Sequence, residues 1–267
     1  MCIRDRCSEA EKKILSLTRD DKEYKVGVIQ LPAFYFDFDA YQKRDYNYKS
    51  SSKDVKRLLK ELKNENVDGL VIDLRNNGGG SLYEANALAH LFLGRGTTVQ
   101  VKSSNGNIQG LGERWGYQFF DRPLVVLVNK FSASASEILA AALQDYNRAI
   151  ILGSNQTYGK GTVQNIVDLN NVISGNTYGD LGSLKITTDK FYRVNGGSTQ
   201  LEGVKSDLIF PNRYSYIDIG EKDLENPLSW DKIDPARYDN SVKVFNYAQA
   251  ISNSKERIGC LLYTSPS

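Results

Sequence analysis

The chain has 267 residues, 40% of them hydrophobic and 25% charged, a composition typical of a globular protein with one large core or two modest domains. Its formal net charge is +2, from 34 basic and 32 acidic residues, which disfavours nucleic acid or an anionic membrane surface as a partner. No apolar run in the sequence is long enough to span a bilayer, so a membrane-spanning protein is not expected.

The two ends of the chain differ from the rest. MCIRDR at the start and CLLYTSPS at the end are similar to translated sequencing-adapter read-through, and we interpret residues 1–7 and 259–267 as such artefacts. All three cysteines lie in or beside these ends, so neither a disulfide framework nor a zinc site is expected in residues 8–258. Both true termini would then be missing, and the lack of a signal peptide carries no information about compartment.

The first predicted elements are a strand, a loop, a helix and a second strand. KVGVIQLPAFYF (Lys25–Phe36) is strand-like, with Pro32 ending regular pairing, and the polar stretch Asp39–Ser52 is predicted to be a loop. SSKDVKRLLKELKNEN is predicted to be a helix with Ser52 as its N-cap. Its apolar face is formed by Val55, Leu58, Leu59 and Leu62. VDGLVIDL (Val67–Leu74) is a continuous apolar run, typical of a strand that is buried on both sides of a parallel sheet.

The same alternation continues along the rest of the chain. The later predicted elements are helix Tyr83–Leu93, strand Pro123–Asn129, helix Glu137–Tyr146, strand Ala149–Leu152, antiparallel strands near Ser183–Thr188 and Phe191–Val194, and a terminal helix over Asn240–Ser252. Alternating strands and helices predict an α/β fold with a mainly parallel sheet, right-handed crossovers and additional antiparallel strands.

A single histidine limits the catalytic chemistry that the chain can carry. His90 lies in the mostly apolar run YEANALAHLFL, where a structural, hydrogen-bonded role is more common than a catalytic one. A Ser-His-Asp triad would have to use this residue, and a metal site with several histidines is excluded. If the chain has a nucleophile, a lysine is therefore the expected base.

FSASASEI (Phe131–Ile138) directly follows the predicted strand Pro123–Asn129 and enters a helix. A serine on such a turn presents its hydroxyl at the carboxyl edge of the sheet, and the next N–H can stabilise an oxyanion. Small residues and serine caps also occur where a helix only packs closely on a sheet. On this stretch alone, packing is the favoured interpretation.

TYGKGTVQ (Thr157–Gln164) supplies a candidate base, Lys160, between two glycines. A lysine becomes a base only when desolvation lowers its pKa from ~10.4 towards ~7. A solvent-facing lysine in a glycine turn is the commoner case. A nucleotide phosphate loop is rejected, because Ser154 stands where that motif needs glycine and Gly161 stands where it needs Thr or Ser.

DLRNNGGG (Asp73–Gly80) ends the strand Val67–Leu74 at the same edge of the predicted sheet. Three glycines before a helix expose backbone N–H groups, as in an anion-binding nest. A phosphate cradle, an oxyanion donor and a plain tight turn share this pattern, and the plain turn is favoured when the motif is taken singly.

The three motifs in this order, together with QDYNRA, closely resemble the C-terminal processing peptidases, also called tail-specific proteases. The resemblance extends from about Tyr24 to Pro211 and reverses the preferences given for the single motifs. It implies a crotonase-like α/β core and no cofactor or metal. GSNQTYGK is one residue longer before the lysine than the family pattern.

The resemblance also implies a role for individual residues. Ser134, the middle serine of SASAS, would be the nucleophile, with Lys160 as the general base and Gln164 orienting the lysine amine. The N–H groups of Gly80 and Ala135 would form the oxyanion hole. Asp145 of QDYNRA matches a position where the family has an acid that supports the site, and we expect its role to be structural.

Domain organisation, partners and compartment follow from the same resemblance. We expect residues 8–24 to follow a missing PDZ domain, 25–212 to form the Ser-Lys peptidase core, and 213–258 to be a truncated C-terminal extension. Expected partners are protein or peptide substrates with accessible C-termini, and an adaptor protein. The expected location is the periplasm or cell envelope.

Two other functions remain open on the sequence. A non-catalytic relative would keep the fold as a ligand-binding or scaffold module, although the intact set of Ser134, Lys160 and Gln164 argues against it. A crotonase-type acyl-CoA enzyme could use the glycine turn for an oxyanion, but that chemistry does not explain GKGTVQ.

Overall fold

A computed structural model describes residues 9–173, 175–212, 214–238 and 245–264. The strands are β1 (Glu11–Arg19), β2 (Lys22–Gln30), β3 (Gly69–Asp73), β4 (Gly96–Ser103), β5 (Ile108–Glu113), β6 (Leu124–Val128), β7 (Ile150–Gly153), β8 (Thr162–Asp168), β9 (Ser183–Tyr192) and β10 (Leu208–Ile209). The helices are α1 (Phe38–Gln42), α2 (Ser51–Asn64), α3 (Leu82–Leu93), α4 (Ala135–Asp145), α5 (Leu169–Val172) and α6 (Ala248–Thr264), with a 3-10 turn at Glu221–Asp223.

The strands form two sheets. The larger sheet has the order β1-β2-β3-β6-β7-β10, and all its pairs are parallel except β1 with β2. The smaller sheet is antiparallel, with the order β5-β4-β9-β8. The prediction of an α/β fold with a mainly parallel sheet and additional antiparallel strands is confirmed.

One apolar core joins the larger sheet to α2, α3 and α4. The apolar face that was predicted for α2 is buried there, since Val55, Leu58, Leu59 and Leu62 are all at most 4% exposed. Burying a leucine or valine of this kind contributes about 1.5–3 kcal/mol to folding. Among the described helices, none combines the length and apolar character needed to cross a membrane.

Several predicted boundaries are wrong by a few residues. Ser50, not Ser52, caps α2: its backbone is still extended and its hydroxyl accepts from the N–H of Lys53. Ser52 is already helical, and its N–H donates to the buried Glu84 at 2.6 Å. The carboxylate of Glu84 also accepts from the hydroxyl of Ser51, so it ties the start of α2 to the first turn of α3.

Other differences concern strands and loops. The first predicted strand is β2, which begins at Lys22 and ends at Gln30, two residues before Pro32, where regular pairing was predicted to end; Phe34 and Phe36 form only isolated bridges. The predicted loop Asp39–Ser52 contains most of α1. The two predicted antiparallel strands near residues 183–194 are one strand, β9. The predicted terminal helix begins at Ala248, and residues 240–244 of that prediction lie outside the described residues.

The topology brings three loops to one place. β3 and β6 are parallel neighbours, so the loops that follow Asp73 and Val128 leave the larger sheet at the same edge. The loop after β6 leads into α4, and the loop after β7 leads into β8 of the smaller sheet. The candidate site lies where these loops meet.

Candidate active site

Ser134 lies on a sharp turn between β6 and α4. It is the N-cap of α4, with φ 57° and ψ −113°. A positive φ is uncommon for a residue with a side chain and costs roughly 1–3 kcal/mol, so the surrounding contacts must hold it. One of them is the hydrogen bond from the Ser134 N–H to Oε2 of Glu137, at 2.8 Å. The turn thus holds the Ser134 hydroxyl at the start of a helix.

The two neighbouring serines of SASAS have structural contacts. Both are fully buried. The hydroxyl of Ser132 donates to the carbonyl of Leu74 at 2.8 Å, and that of Ser136 donates to the carbonyl of Asn77 at 2.9 Å. Both bonds fasten the turn to the loop after β3. Ser134 is only half-buried and is the serine of the three that lines a cavity.

Lys160 lines the same cavity as Ser134. Its side-chain amine donates to Oε1 of Gln164 at 2.9 Å, as the sequence predicted for an orienting residue. Partial burial lowers the pKa of Lys160, and the positive charge of Lys185 lowers it further, whereas Glu221 and Glu137 oppose this shift. The amine therefore loses its proton more readily than a solvent-exposed lysine.

The glycine loop after β3 packs against the Ser134 turn. A side chain at Gly79 would lie 2.9 Å from Cβ of Ser134, and one at Gly80 would lie 2.3 Å from the carbonyl oxygen of Phe34. Phe34 holds the loop by accepting from Ser81 N–H and donating to the Gly79 carbonyl. Only glycine fits both positions, so the loop can approach the Ser134 turn closely.

Two backbone N–H groups remain available next to Ser134. No acceptor for the Gly80 N–H is found within the described part of the chain. The N–H of Ala135 belongs to the first turn of α4, where amides have no acceptor inside the helix. Gly80 and Ala135 both line the cavity with Ser134. Backbone N–H groups without an internal acceptor beside a serine are one feature of an oxyanion hole, which stays a prediction for this pair.

Five of the six predicted site residues therefore meet around one cavity of about 600 Å³, whose lining includes Gly80, Ser134, Ala135, Lys160 and Gln164. In the described structure no hydrogen bond joins Lys160 Nζ to Ser134 Oγ; the amine bonds to Gln164 instead. Catalytic hydrogen bonds are often long before substrate binds, so this geometry is compatible with a Ser-Lys pair.

A second cavity, also of about 600 Å³, lies at the carboxyl ends of the larger sheet. It is lined by Asp73, Arg75 and Asn129 among others, and by none of the predicted catalytic residues. Asp73 and Arg75 form an ion pair across 2.6 Å, so in the described lining neither of these two charged groups is free.

Glu137 is a site residue that the sequence reasoning missed. Its side chain is fully buried and does not line the cavity. Oε2 accepts from the N–H groups of Ser134 and Lys160, and Oε1 accepts from the Gly159 N–H and the Thr157 hydroxyl, all between 2.6 and 3.0 Å. One carboxylate thus fixes the backbones of both predicted dyad residues.

The electrostatics of Glu137 reflect two opposing effects. Burial raises its pKa to about 7, and the four donors oppose that rise. A signal for this residue was present in the sequence: SASE places a glutamate three residues after a serine N-cap, which is the capping-box pattern.

Asp145 lies away from the cavity. It ends α4, and an eleven-residue rise along a helix places it about 16 Å from Ser134. Its carboxylate pairs with the Arg193 guanidinium at 2.6 and 3.0 Å and accepts from the Asn195 amide. The acid that was expected to support the site thus contacts neither Ser134 nor Lys160, and its contacts fasten the far end of α4.

His90 is also remote from the cavity. It is 9% exposed, and neither ring nitrogen has a hydrogen-bond partner among the described residues. Burial lowers its pKa, which keeps the ring neutral. It cannot serve as the base for Ser134, because it does not line the cavity that contains Ser134.

Fold and site together define an α/β protein in which a serine on a strand-to-helix turn and a lysine line one cavity. Comparison with known families is consistent with this class. Residues 25–210 match the model of peptidase family S41, and residues 214–260 match that of the C-terminal domain of tail specific protease. The chain belongs to peptidase family S41, and the resemblance found in the sequence is confirmed.

Similar proteins carry related names. A tail-specific protease of Haemophilus influenzae is 43% identical over 230 residues, which cover 83% of this chain and 31% of that protein. A carboxy-terminal-processing protease of Bartonella bacilliformis is 35% identical over 64% of this chain and 38% of its own length. The chain therefore spans about a third of the length of these relatives.

A solved structure has the same fold. The photosystem II D1 C-terminal processing protease superposes with a TM-score of 0.61 at 27% identity, over 78% of this chain and 50% of that one. The match supports the predicted fold class independently of the sequence motifs.

Proposed function

We propose that the chain is a serine endopeptidase that cleaves protein substrates near their C-termini through a Ser-Lys dyad and an acyl-enzyme. The observation that carries the proposal is the single cavity that Ser134 and the Lys160–Gln164 pair share. Membership of family S41 and the names of the relatives support the reaction class and the preference for C-termini.

The first chemical step is acylation. Neutral Lys160 takes the proton from the Ser134 hydroxyl as the oxygen attacks the peptide carbonyl carbon. The resulting tetrahedral intermediate carries its negative charge on the former carbonyl oxygen. When the intermediate collapses, the C–N bond breaks and the protonated Lys160 returns the proton to the leaving amine.

Deacylation repeats the steps with water. Lys160, neutral again, takes a proton from water as the water oxygen attacks the ester, and Ser134 leaves with a proton from the lysine. Gln164 accepts a hydrogen bond from the amine and so limits its positions. This residue orients the base without exchanging a proton.

The N–H groups of Gly80 and Ala135 would bind the oxyanion in both halves of the reaction. They act at the point where negative charge develops, and the loss of one such donor typically costs ~10²–10³ in turnover. The chemistry requires neither a metal nor an organic cofactor. The envelope location and an adaptor partner belong to this proposal and rest on the family resemblance.

A serine-directed fluorophosphonate tests the nucleophile directly. We expect the probe to label the wild-type chain at Ser134 and not to label Ser134→Ala. Lys160→Arg keeps the positive charge but cannot supply a neutral amine, so labelling should slow by about 10²–10⁴-fold. Lys205→Arg, a matched change at an exposed lysine that does not line the cavity, should label like wild type.

Cleavage of peptides tests the substrate class. A peptide with a free C-terminus should be cut faster than its amidated form, as measured by mass spectrometry. A folded wild-type chain that is neither labelled nor active would support a non-catalytic binding module and refute the proposal. Labelling of Lys160→Arg at the wild-type rate would refute lysine as the base.

A further inference from the structure

The cavity contains a second lysine that the catalytic proposal does not use. Lys185 lies on β9, directly opposite Ile166 of β8, and both residues line the cavity with Ser134 and Lys160. The residue opposite Gln164 is Thr187, two positions from Lys185 on the same strand. Because alternate residues of a strand point to the same face, Lys185 lies on the face that carries Gln164.

Lys185 has no counter-ion in the described structure. No ion pair or hydrogen bond of its ammonium group is found there. Asp189 is the one carboxylate in the described lining of the cavity, and it stands four residues away on β9, about 13 Å along the strand. An oxygen of Asp189 already accepts from the Thr188 hydroxyl at 2.6 Å. The cavity therefore presents an uncompensated positive charge at the Lys185 end.

The electrostatic effect of Lys185 on Lys160 agrees with this placement. After burial, the charge of Lys185 is the largest influence that lowers the pKa of Lys160. Two ammonium groups thus face the same space. When Lys160 is neutral, as the reaction requires, Lys185 is the positive charge that a bound substrate meets.

We propose that Lys185 is a specificity-determining residue that binds a carboxylate of the substrate two or three residues from the scissile bond. The inference rests on the proposed peptidase function and deepens it. Ile166 lies two residues beyond Gln164 on β8, about 7 Å along the strand. An extended substrate advances about 3.3 Å per residue, so this distance corresponds to two or three substrate residues between the scissile bond and the carboxylate that Lys185 binds.

The carboxylate can come from an acidic side chain or from the C-terminus of the substrate. The rest of the described lining is largely apolar or neutral, and includes Val101 of β4 and Leu111 of β5 in the same sheet and Tyr83 of α3. These residues suit uncharged side chains of the substrate. Charge recognition is therefore assigned to Lys185 alone.

Matched peptides measure this preference. Each peptide carries Glu or Gln at one of three positions on either side of the cleaved bond, and two further peptides differ only in a free or amidated C-terminus. At the best position, wild type should prefer Glu to Gln by about fivefold in kcat/KM at low salt, the size expected of a partly exposed ion pair. High salt should reduce the preference.

Variants at Lys185 test whether this residue causes the preference for the Glu peptide. Lys185→Gln should reduce the Glu/Gln ratio to about one, and Lys185→Glu should favour a Lys peptide instead. Any change in the pKa of Lys160 affects all peptides of one variant alike, so the ratio isolates substrate recognition. Lys60→Glu, an equal charge change on the exposed side of α2, should keep the wild-type ratio.

The outcomes separate this inference from the function on which it rests. Cleavage of both peptides with a ratio that Lys185→Glu leaves unchanged would overturn the role of Lys185 and leave the peptidase function standing. Cleavage of neither peptide by wild type would overturn both. A preference seen only with the free C-terminus would identify the terminal carboxylate as the bound group.

Discussion

At the scale of single residues, the charge balance around Lys160 determines when it can act as a base. Lys185 lowers the pKa of Lys160, and Glu221 and Glu137 raise it. Glu221 lies in the 3-10 turn and accepts from the Gln200 amide, whose oxygen in turn accepts from the Gly161 N–H. The amine thus lies between groups of opposite charge, whose effects can be removed one at a time.

Removing these charges should shift the pH profile in opposite directions. Turnover rises with pH as Lys160 loses its proton. Lys185→Gln removes a positive neighbour, raises the pKa of Lys160 and should move the rising limb to higher pH. Glu221→Gln removes a negative neighbour and should move it to lower pH. The pH dependence of kcat/KM for a neutral peptide measures both, and shifts in the same direction would contradict this account.

Glu137 acts through the backbones of other residues. Four neighbouring groups donate hydrogen bonds to the Glu137 carboxylate, two to each oxygen. A glutamine side chain replaces one of these oxygens with an amide nitrogen, which donates and cannot accept. Glu137→Gln should therefore place N–H groups against N–H groups, at a cost of about 1–3 kcal/mol for each unsatisfied donor.

The kinetic consequence of Glu137→Gln should be specific. We expect kcat to fall by at least about tenfold while KM changes little, because Glu137 fixes the backbones of Ser134 and Lys160 but does not itself line the cavity. Steady-state kinetics and thermal unfolding of the same preparation measure the two effects. A lower melting temperature with unchanged kcat would mean that Glu137 is only structural.

At the scale of elements, α4 begins directly after Ser134, the proposed nucleophile, and ends at an ion pair. Asp145 and Arg193 have side chains that are only 7% and 18% exposed. Removing one partner of such a pair leaves the other charge buried without compensation. Arg193 directly follows β9, so the contact joins the end of α4 to the smaller sheet.

Asp145→Asn should therefore lower the free energy of unfolding by about 3 kcal/mol. Arg193→Met should have a similar effect, and the double variant should lose less than the sum of the two, because each single change already breaks the pair. Urea unfolding of the four proteins gives the coupling. Additive losses would show that the two side chains stabilise the protein independently.

The elements that were predicted correctly are those with a strong local pattern. β3 and β6 are continuous apolar runs, and the apolar spacing of α2 matches its buried face. β1 was missed because only one of its nine residues is even half-buried, so it lacks the alternation that marks a strand. The contacts of Ser50 that make it the cap of α2 depend on Glu84, which is 34 residues away.

At the scale of the whole molecule, the order of the motifs carried more information than any single motif. Ser134, Lys160, Gln164, Gly80 and Ala135 were each ambiguous locally, yet the fold brings all five to one cavity. Their catalytic roles and the domain boundaries stay predictions. Lys185 could not be found from the sequence, since its position depends on the pairing of Lys185 with Ile166 across a long hairpin.

Global stability should depend on pH through groups outside the cavity as well. His90 is buried, faces the charge of Glu113 and has a pKa below its ordinary value of 6.5. The unfolded chain then binds a proton more readily than the folded one, so stability is complete above about pH 6.5 and falls as the pH drops through the folded pKa. Glu137, whose pKa is raised to about 7, acts in the opposite sense between about pH 4.5 and 7.

Replacing His90 with leucine separates the two contributions. His90→Leu keeps an apolar side chain of similar volume in α3 and removes the titrating group. The unfolding free energy of the variant should fall less than that of wild type between pH 7.5 and 5, and peptide cleavage at pH 7.5 should be nearly unchanged. Urea unfolding at both pH values, with cleavage measured on the same samples, is the required experiment. An equal acid-induced loss in both proteins would show that His90 does not control acid stability, and loss of cleavage by a folded variant would restore the histidine as a candidate base.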